Sequence, residues 1–349
     1  MTGKKPDHNG RGNRGVTLGD VARLAGVAPM TVSRCLNQPE TVRSETRLKV
    51  QRAIDQTGYV PNRLAGALAS SRSRLVAVVL PMVTNPIFSD TFQAINERLT
   101  KAGYQVLLGV SGYETEHEQE LLEVILSRRP DGIILTGTLH TPASRHRLRA
   151  SKVPVVETWD LSSEPIDMLV GFSHEKVGRD VARDLLGKGY RRFALLAVND
   201  PRGLRRADSF LGALSEQGIV DVPRQVWEGL PTLAHGRAGL VALIDSGALS
   251  SDAPLMIVCT SDTIAHGVLT EAAARGISVP GKLAVMGFGD MNFAAYTYPS
   301  LSTVRIDGQQ MGDSAALMLL ERLNGADDVE VIKDIGFSLI DRDSTSKLS

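Results

Sequence analysis

The chain has 349 residues and carries 39 Lys and Arg against 39 Asp and Glu, so its net charge is zero. That length supports two or three compact domains with cores of their own. No window approaches the ~20 consecutive apolar residues of a membrane span, and the N-terminal stretch is polar and Gly-rich where a secretory signal would be apolar. Two cysteines, Cys35 and Cys259, exclude a disulfide framework and fit a reducing, cytoplasmic compartment. The charge is unevenly placed: residues 1–73 hold 12 basic against 5 acidic side chains, and the remainder 27 against 34. A basic head on an acidic body is the footprint of a chain that meets nucleic acid with one end.

Residues 1–15 place Lys4, Lys5, Arg11 and Arg14 among Gly and Asn without periodicity, and are expected to form a disordered basic tail. Residues 17–37 read as a complete helix-turn-helix. Val21, Ala22, Leu24 and Ala25 give a first helix its apolar face, and Gly26 breaks it where a tight turn must fit. Pro29 supplies the preset φ of a second helix's first turn, and Val32 and Leu36 face inward at i, i+4 spacing. Met30, Thr31, Ser33 and Arg34 are left outside, where a recognition helix presents side chains to a DNA groove. Cys35 falls on the inner side as a small core residue. A third helix is expected from Ser44 as N-cap to Gly58, with Leu48, Val50 and Ile54 on its apolar side. Pro61 and Asn62 stop helix growth. Residues 63–69 then form a linker able to make two helical turns at most, unstable alone because nucleation is costly and Gly66 adds about 1 kcal/mol. A helix that forms only with outside help can act as a switch.

From Leu75 onward the pattern changes to strand–helix alternation. Strands are expected at 75–80, 104–110, 132–136, 153–158, 193–198, 255–260 and 283–288, most of them continuous apolar runs. Helices are expected at 92–102, 118–129, 176–188, 209–217, 235–245 and 265–275. Continuous apolar strands alternating with helices mean parallel sheets covered on both faces. The stretch is too long for one ordinary doubly wound domain, so two lobes are expected in tandem, with ligands off the carboxyl ends of the strands, in the cleft between lobes.

In this order the parts resemble the lactose-repressor family of bacterial transcription regulators, over nearly the full length. The resemblance is carried by Val16-Thr17-Leu18, Asp20-Val21-Ala22, Gly26-Val27, Thr31-Val32-Ser33-Arg34 and Gly58-Tyr59-Val60-Pro61-Asn62. It continues through Asp131-Gly132-Ile133-Ile134, Ser261-Asp262, Val285-Met286-Gly287-Phe288-Gly289-Asp290 and Leu301-Ser302-Thr303-Val304. Within that family, Thr84-Asn85 with Phe88, Glu118-Gln119, His140-Thr141-Pro142 and Pro154-Val155-Val156-Glu157 look like the gluconate-utilisation repressor branch. The implied fold is an all-α helix-turn-helix head on an α/β, two-lobed, periplasmic-binding-protein-like body of two doubly wound parallel sheets. The implied division is a head at 16–60, a hinge helix and linker at 61–73, one lobe from 74–172 plus 304–333, and a second from 173–303 plus 334–349. The chain would cross between lobes near 171–173, 302–305 and 333–336.

On DNA, the resemblance implies contacts from Thr17, Pro29, Met30, Thr31, Ser33, Arg34 and Asn37. Arg34 can donate two hydrogen bonds to guanine O6 and N7; its alternative is a phosphate contact. Thr17, Thr31, Ser33 and Asn37 suit phosphate or capping roles. Pro29 departs from relatives that carry a hydrogen-bonding side chain there. In the linker, Asn62, Arg63, Ala65 and Leu68 match the family's hinge helix. There two copies enter the minor groove side by side, and the residue matching Leu68 wedges into the central base step. Two-fold symmetry then implies a palindromic operator.

In the cleft, the resemblance implies effector contacts from Asn85, Phe88, Thr136, Trp159, Phe172, Arg206, Asp262 and Asp290. Phe172 and Trp159 also read as core aromatics, and Asp262 as an N-cap. Arg206, placed after a loop at 200–205, occupies the slot of an effector-binding arginine, and Gly289 stands where several sugar binders have an acid. An arginine kept and an acid lost suit an anionic effector. His140, His174, His235 and His266 show no metal spacing, no Gly-rich phosphate loop opens a helix, and no coupled acid, base or nucleophile supports an enzyme. No cofactor is implied. The expectation is a homodimeric repressor released by a sugar acid such as gluconate. The alternatives are a two-lobed sugar-binding transport protein and a co-repressor-dependent regulator of another effector class.

Overall fold

A computed structural model describes residues 16–60, 72–83, 86–112, 114–326, 328 and 330–345, in two compact units that divide after Ser73. The expected basic tail, the hinge residues Asn62, Arg63, Ala65 and Leu68, and Asn85 lie outside the described residues. Among the described residues no helix is long and apolar enough to cross a membrane.

The first unit is three helices around one small core. Helix α1 (Leu18–Ala25) starts at Thr17, whose hydroxyl accepts from the Asp20 N–H while the Asp20 carboxylate accepts from the Thr17 N–H, a reciprocal capping box. It ends on Gly26 at φ +64°, a left-handed conformation that costs glycine nothing. Helix α2 (Pro29–Asn37) has no side-chain cap, and Pro29 at its first position removes one N–H that would otherwise lack a partner. Helix α3 (Ser44–Thr57) ends on Gly58, also left-handed. Val21, Ala22, Val32, Val50 and Ala53 are the buried centre.

Three expectations fail here, two for one reason. Leu24 and Leu48 are exposed, 52% and 58%, because the buried stripe runs 18, 21, 22, 25 on α1 and 50, 53, 54 on α3. At about 100° per residue, Leu24 points about 110° and Leu48 about 170° away from the centre of its stripe. Ser44 is the first helical residue and not the cap.

The second unit contains two parallel sheets. Strands β1 (Leu75–Leu80), β2 (Gln105–Val110), β3 (Gly132–Thr136), β4 (Val155–Thr158), β5 (Met168–Gly171) and β11 (Ile332–Asp334) form the first, in the order β11-β5-β4-β3-β1-β2. Strands β6 (Phe193–Val198), β7 (Arg224–Trp227), β8 (Leu255–Cys259) and β9 (Leu283–Met286) form the second, in the order β7-β6-β8-β9. A short antiparallel ribbon pairs β10 (Thr303–Arg305) with β12 (Ser338–Ile340). The first sheet carries α4 (Ser89–Lys101), α5 (Thr115–Ser127) and α6 (Pro142–Ser151); α11 (Gly308–Leu323) returns to pack on α4. The second carries α7 (His174–Gly187), α8 (Pro201–Ser215), α9 (Leu233–Asp245) and α10 (Asp262–Ala274). Fully buried strands such as β6 and β8 are the continuous apolar runs of the sequence.

The sequence reading misplaced several elements of the body. Strand β2 is an edge and half-exposed, not buried, since only β1 pairs with it. Helix α8 begins eight residues before the expected start, because Asp200 caps it by accepting from the Gly203 N–H at 3.0 Å and Pro201 fills its first position. Elements β5, α6, β7 and α11 were not expected as such; β5 and β7 are four-residue strands too short for a periodicity to show.

Candidate functional site

In the head, α2 turns Pro29, Met30, Arg34 and Asn37 to the exposed side, with Thr31 and Ser33 half-buried. Met30 is 66% exposed, too much for a core methionine. Thr17 is committed to the cap, its hydroxyl donating to Asp20 Oδ2 at 2.6 Å, and that hydrogen bond holds the Asp20 carboxyl below its usual range. Asn37 Nδ2 donates to Ser33 Oγ one turn back, at 3.3 Å. The face therefore mixes polar Asn37 with apolar Pro29 and Met30, and Arg34 is its cation.

In the body, the carboxyl ends of the parallel strands converge on a cleft with about 550 Å³ of empty volume, open to solvent. Five strands deliver a side chain in the first residues after they end: Trp159 after β4, Phe172 and His174 after β5, Asp200 after β6, Thr260 and Ser261 after β8, Phe288 after β9. Ile87 and Phe88 close one wall. Phe88, Trp159 and Phe172 meet edge to face, centroids 5.2 and 6.1 Å apart.

Helix α8 supplies the charge. Arg202 and Arg206 are one turn apart and both line the cleft. Arg202 is bonded to Asp200 through Nε at 3.4 Å. Burial opposes the Asp200 charge, but Arg202, Arg206 and the Gly203 N–H hold its carboxyl below the usual range. Arg206, only 8% exposed, lies over the Phe288 ring at 3.6 Å, donates from Nη2 to the Thr260 carbonyl at 3.3 Å and from Nη1 to His174 Nδ1 at 3.0 Å. A guanidinium only donates, so Nδ1 is the accepting nitrogen, and the His174 Nε2–H donates to the Trp159 carbonyl at 3.0 Å. Burial, joined by the charges of Arg206, Arg202 and Arg205, pushes the His174 imidazole well below its ordinary value. It is neutral. Two polar atoms of the lining, Trp159 Nε1 and Thr260 Oγ1, are buried with no hydrogen-bond partner among the described residues. Buried orphans of this kind are costly unless a ligand or water completes them.

The structure thus gathers Phe88, Trp159, Phe172 and Arg206 in one cleft. Thr136 lies in an adjoining polar recess with Ser111, Glu118 and Thr138, which shares Asp200 and Arg202 with the cleft. Asp262 and Asp290 are turned into the scaffold. Asp262 accepts from the Met291 N–H at 2.7 Å and Thr303 Oγ1 at 2.6 Å, and burial pushes its carboxyl up to about 6. Its helix is capped by Ser261, the residue before it. Asp290 pairs with Arg305 at 2.5 Å and Arg342 at 2.7 Å. Sequence reasoning missed His174, Arg202, Asp200, Thr260 and Phe288 as cleft residues. The signal for two of them was Asp200-Pro201, a cap and first-turn pair that sets Arg202 and Arg206 on one helical face.

Behind the polar recess, His140 is clamped between two carboxylates: Nδ1 is 2.5 Å from Glu118 Oε1 and Nε2 is 3.3 Å from Glu157 Oε1. Burial alone would lower its pKa, but the hydrogen bond to Glu118 and the nearby charges of Glu118 and Glu157 raise it to about 9.

Comparison with known proteins places these features. A family model described as bacterial regulatory proteins, lacI family, matches residues 17–62, and one described as a periplasmic binding protein-like domain matches residues 182–345. The chain is 36% identical over 347 residues to the HTH-type transcriptional regulator GntR of Pseudomonas aeruginosa, covering 99% of this chain and 100% of that one. It is 33% identical to the regulator GntR of Escherichia coli K12, covering 92% and 96%. A LacI-family regulator from Silicibacter pomeroyi superposes with a TM-score of 0.86 at 34% identity, over 94% of this chain and 98% of that one. The lac repressor dimer bound to operator and an anti-inducer gives 0.77 at 25% identity, over 95% and 100%.

Proposed function

This chain belongs to the LacI family of bacterial regulatory proteins, which makes it a DNA-binding transcriptional repressor and not an enzyme, and on that premise we propose that it is a cytoplasmic homodimer that leaves its operator when a sugar acid, gluconate or a close derivative, occupies the cleft around Arg206. The observation that carries the effector class is the set of donors the lining brings together: the buried Arg206 guanidinium, with the Trp159 indole N–H and the Thr260 hydroxyl, the last two without a hydrogen-bond partner among the described residues. An acid with hydroxyls supplies a carboxylate for the first and oxygens for the others. With His174 neutral, Arg202 and Arg206 against Asp200 leave the lining with a single net positive charge, which suits one carboxylate.

The head contacts DNA through α2, with Arg34 on a base edge and Thr17, Pro29, Met30, Thr31, Ser33 and Asn37 around it; the exposure of Arg34 and Met30 supports this. Asn62, Arg63, Ala65 and Leu68 form the hinge that enters the minor groove of a palindromic site. Residues 74–172 with 304–333 make one lobe and 173–303 with 334–349 the other, in keeping with which strands share a sheet. Asn85, Thr136, Asp262 and Asp290 belong to the effector region, the last two as supports of its floor. An effector that favours the lobe arrangement incompatible with DNA by a few kcal/mol is enough to release the operator.

The test is thermal unfolding with gluconate, 2-ketogluconate, 6-phosphogluconate and glucose. A ligand at ~100 times its Kd adds about 2.7 kcal/mol to the unit it binds. A shift with gluconate or a close acid alone supports the reading. A shift with neutral sugars or purines alone overturns the effector class and leaves the DNA-binding assignment intact.

A further inference from the structure

We infer that His174 is a positioning residue for acid recognition: as a neutral imidazole protonated on Nε2, it sets the Arg206 guanidinium by accepting from it, and so determines selectivity for an acid over its neutral analogue. The inference rests on the reading of the cleft as a sugar-acid site.

The geometry leaves His174 one tautomer. The Trp159 carbonyl, 3.0 Å from Nε2, only accepts, and the Arg206 Nη1–H, 3.0 Å from Nδ1, only donates. The ring is pinned at both nitrogens and stacked edge-on against Phe172 at 4.6 Å. The Trp159 carbonyl is itself fixed, because Trp159 sits at φ +66°, a conformation few non-glycine residues adopt, with its N–H bonded to Val170. The chain of positions therefore runs from the end of β4, through the His174 ring, to the cation of α8. An arginine so placed stands in the cleft wall in one orientation and need not rearrange to meet a carboxylate, which is what discrimination between a carboxylate and a neutral group requires.

Protonation of His174 would destroy this arrangement, since an imidazolium has no acceptor for Arg206. The charged groups facing the ring are arranged to prevent it. Arg206, Arg202 and Arg205 of α8 oppose a second cation. Asp160, whose Oδ1 is 3.8 Å from Nε2, would favour one, but it is engaged by Arg205, by Thr138 Oγ1 at 2.6 Å and by the Leu161 N–H at 2.8 Å.

Two measurements test this. Imidazole ¹⁵N spectra of the full-length protein between pH 5.5 and 8 should show His174 unprotonated at Nδ1 and protonated at Nε2 throughout, and Arg206→Ala should bring its titration into that range. A cationic ring, or the opposite tautomer, overturns the inference whatever ligand the cleft binds. The second is calorimetric titration of gluconate and glucose. His174→Leu should weaken gluconate about tenfold or more and glucose less than twofold, and His174→Gln, which keeps an acceptor and a donor, should restore most of the difference. If wild-type protein prefers gluconate and His174→Leu leaves the preference unchanged, the positioning role is overturned while the sugar-acid reading stands. If wild-type protein does not prefer gluconate, that reading falls, and the spectra alone decide the tautomer. Should His174→Leu not fold, the spectra and His174→Gln still decide.

Discussion

A Cβ added to Gly178 would lie 2.3 Å from the carbonyl oxygen of Arg206 and 2.8 Å from the Phe210 nitrogen. Both are backbone atoms of α8, so α7 and α8 touch main chain to main chain at the point where the Arg206 side chain leaves its helix. Neither atom can yield as a flexible side chain would. Gly178→Ala should therefore push α8 away, destabilising the body by about 1–3 kcal/mol and weakening gluconate by displacing Arg206. Urea unfolding together with ligand titration checks this; unchanged values for both would show the helices free to slide.

Arg206→Ala removes the more buried of the two cations that line the cleft. It should weaken gluconate by on the order of 2–3 kcal/mol, about a hundredfold, as the loss of charged hydrogen bonds does. Operator affinity without ligand should stay within about twofold. The expected phenotype is a repressor that holds DNA and does not release it, read by operator anisotropy with and without gluconate. Loss of operator binding would mean that Arg206 is a structural residue.

His140 gives the body a pH-dependent clamp. Its pKa is raised from 6.5 to about 9 by Glu118 and Glu157, so its contribution is fully present below pH 6.5 and disappears as pH rises through 9. The amount is on the order of 3 kcal/mol. Urea midpoints should fall between pH 6.5 and 9.5 for the wild type and fall less for Glu118→Gln. Parallel profiles would assign the loss to other groups.

The head separates capping from recognition. Thr17→Ala breaks the capping box and should cost the head about 1 kcal/mol. Arg34→Ala touches nothing buried, and should leave the head's melting unchanged while weakening the operator by about 1–3 kcal/mol with relaxed base preference. A uniform loss across sequences, with the salt slope lowered by about 1, would place Arg34 on a phosphate instead.

Much of this was legible in the order of residues because it depends on neighbours in sequence. The helix-turn-helix follows from a Thr17–Asp20 cap, a glycine that must turn left-handed and a proline at a first turn, all of them interactions within four residues. The parallel sheets follow from apolar runs such as 193–198 and 255–259, since a strand buried on both faces has no polar side to show. That ligands sit off strand ends follows from such sheets in general, but Arg206, Phe88, Trp159 and Phe172 could be named only through the family resemblance.

What tertiary structure alone decided is how those groups are completed. Nothing local says that His174 accepts from Arg206, 32 residues away, that Asp262 faces Thr303 across 41 residues, or that α11 closes on α4. These partners come from different elements of the body, and their pairing is fixed by sheet order and by close approaches such as Gly178 to Arg206. Hydrophobic periodicity selects the elements; burial and hydrogen-bond completion, which exist only once the elements are packed, select the neutral histidine and the arginine it orients.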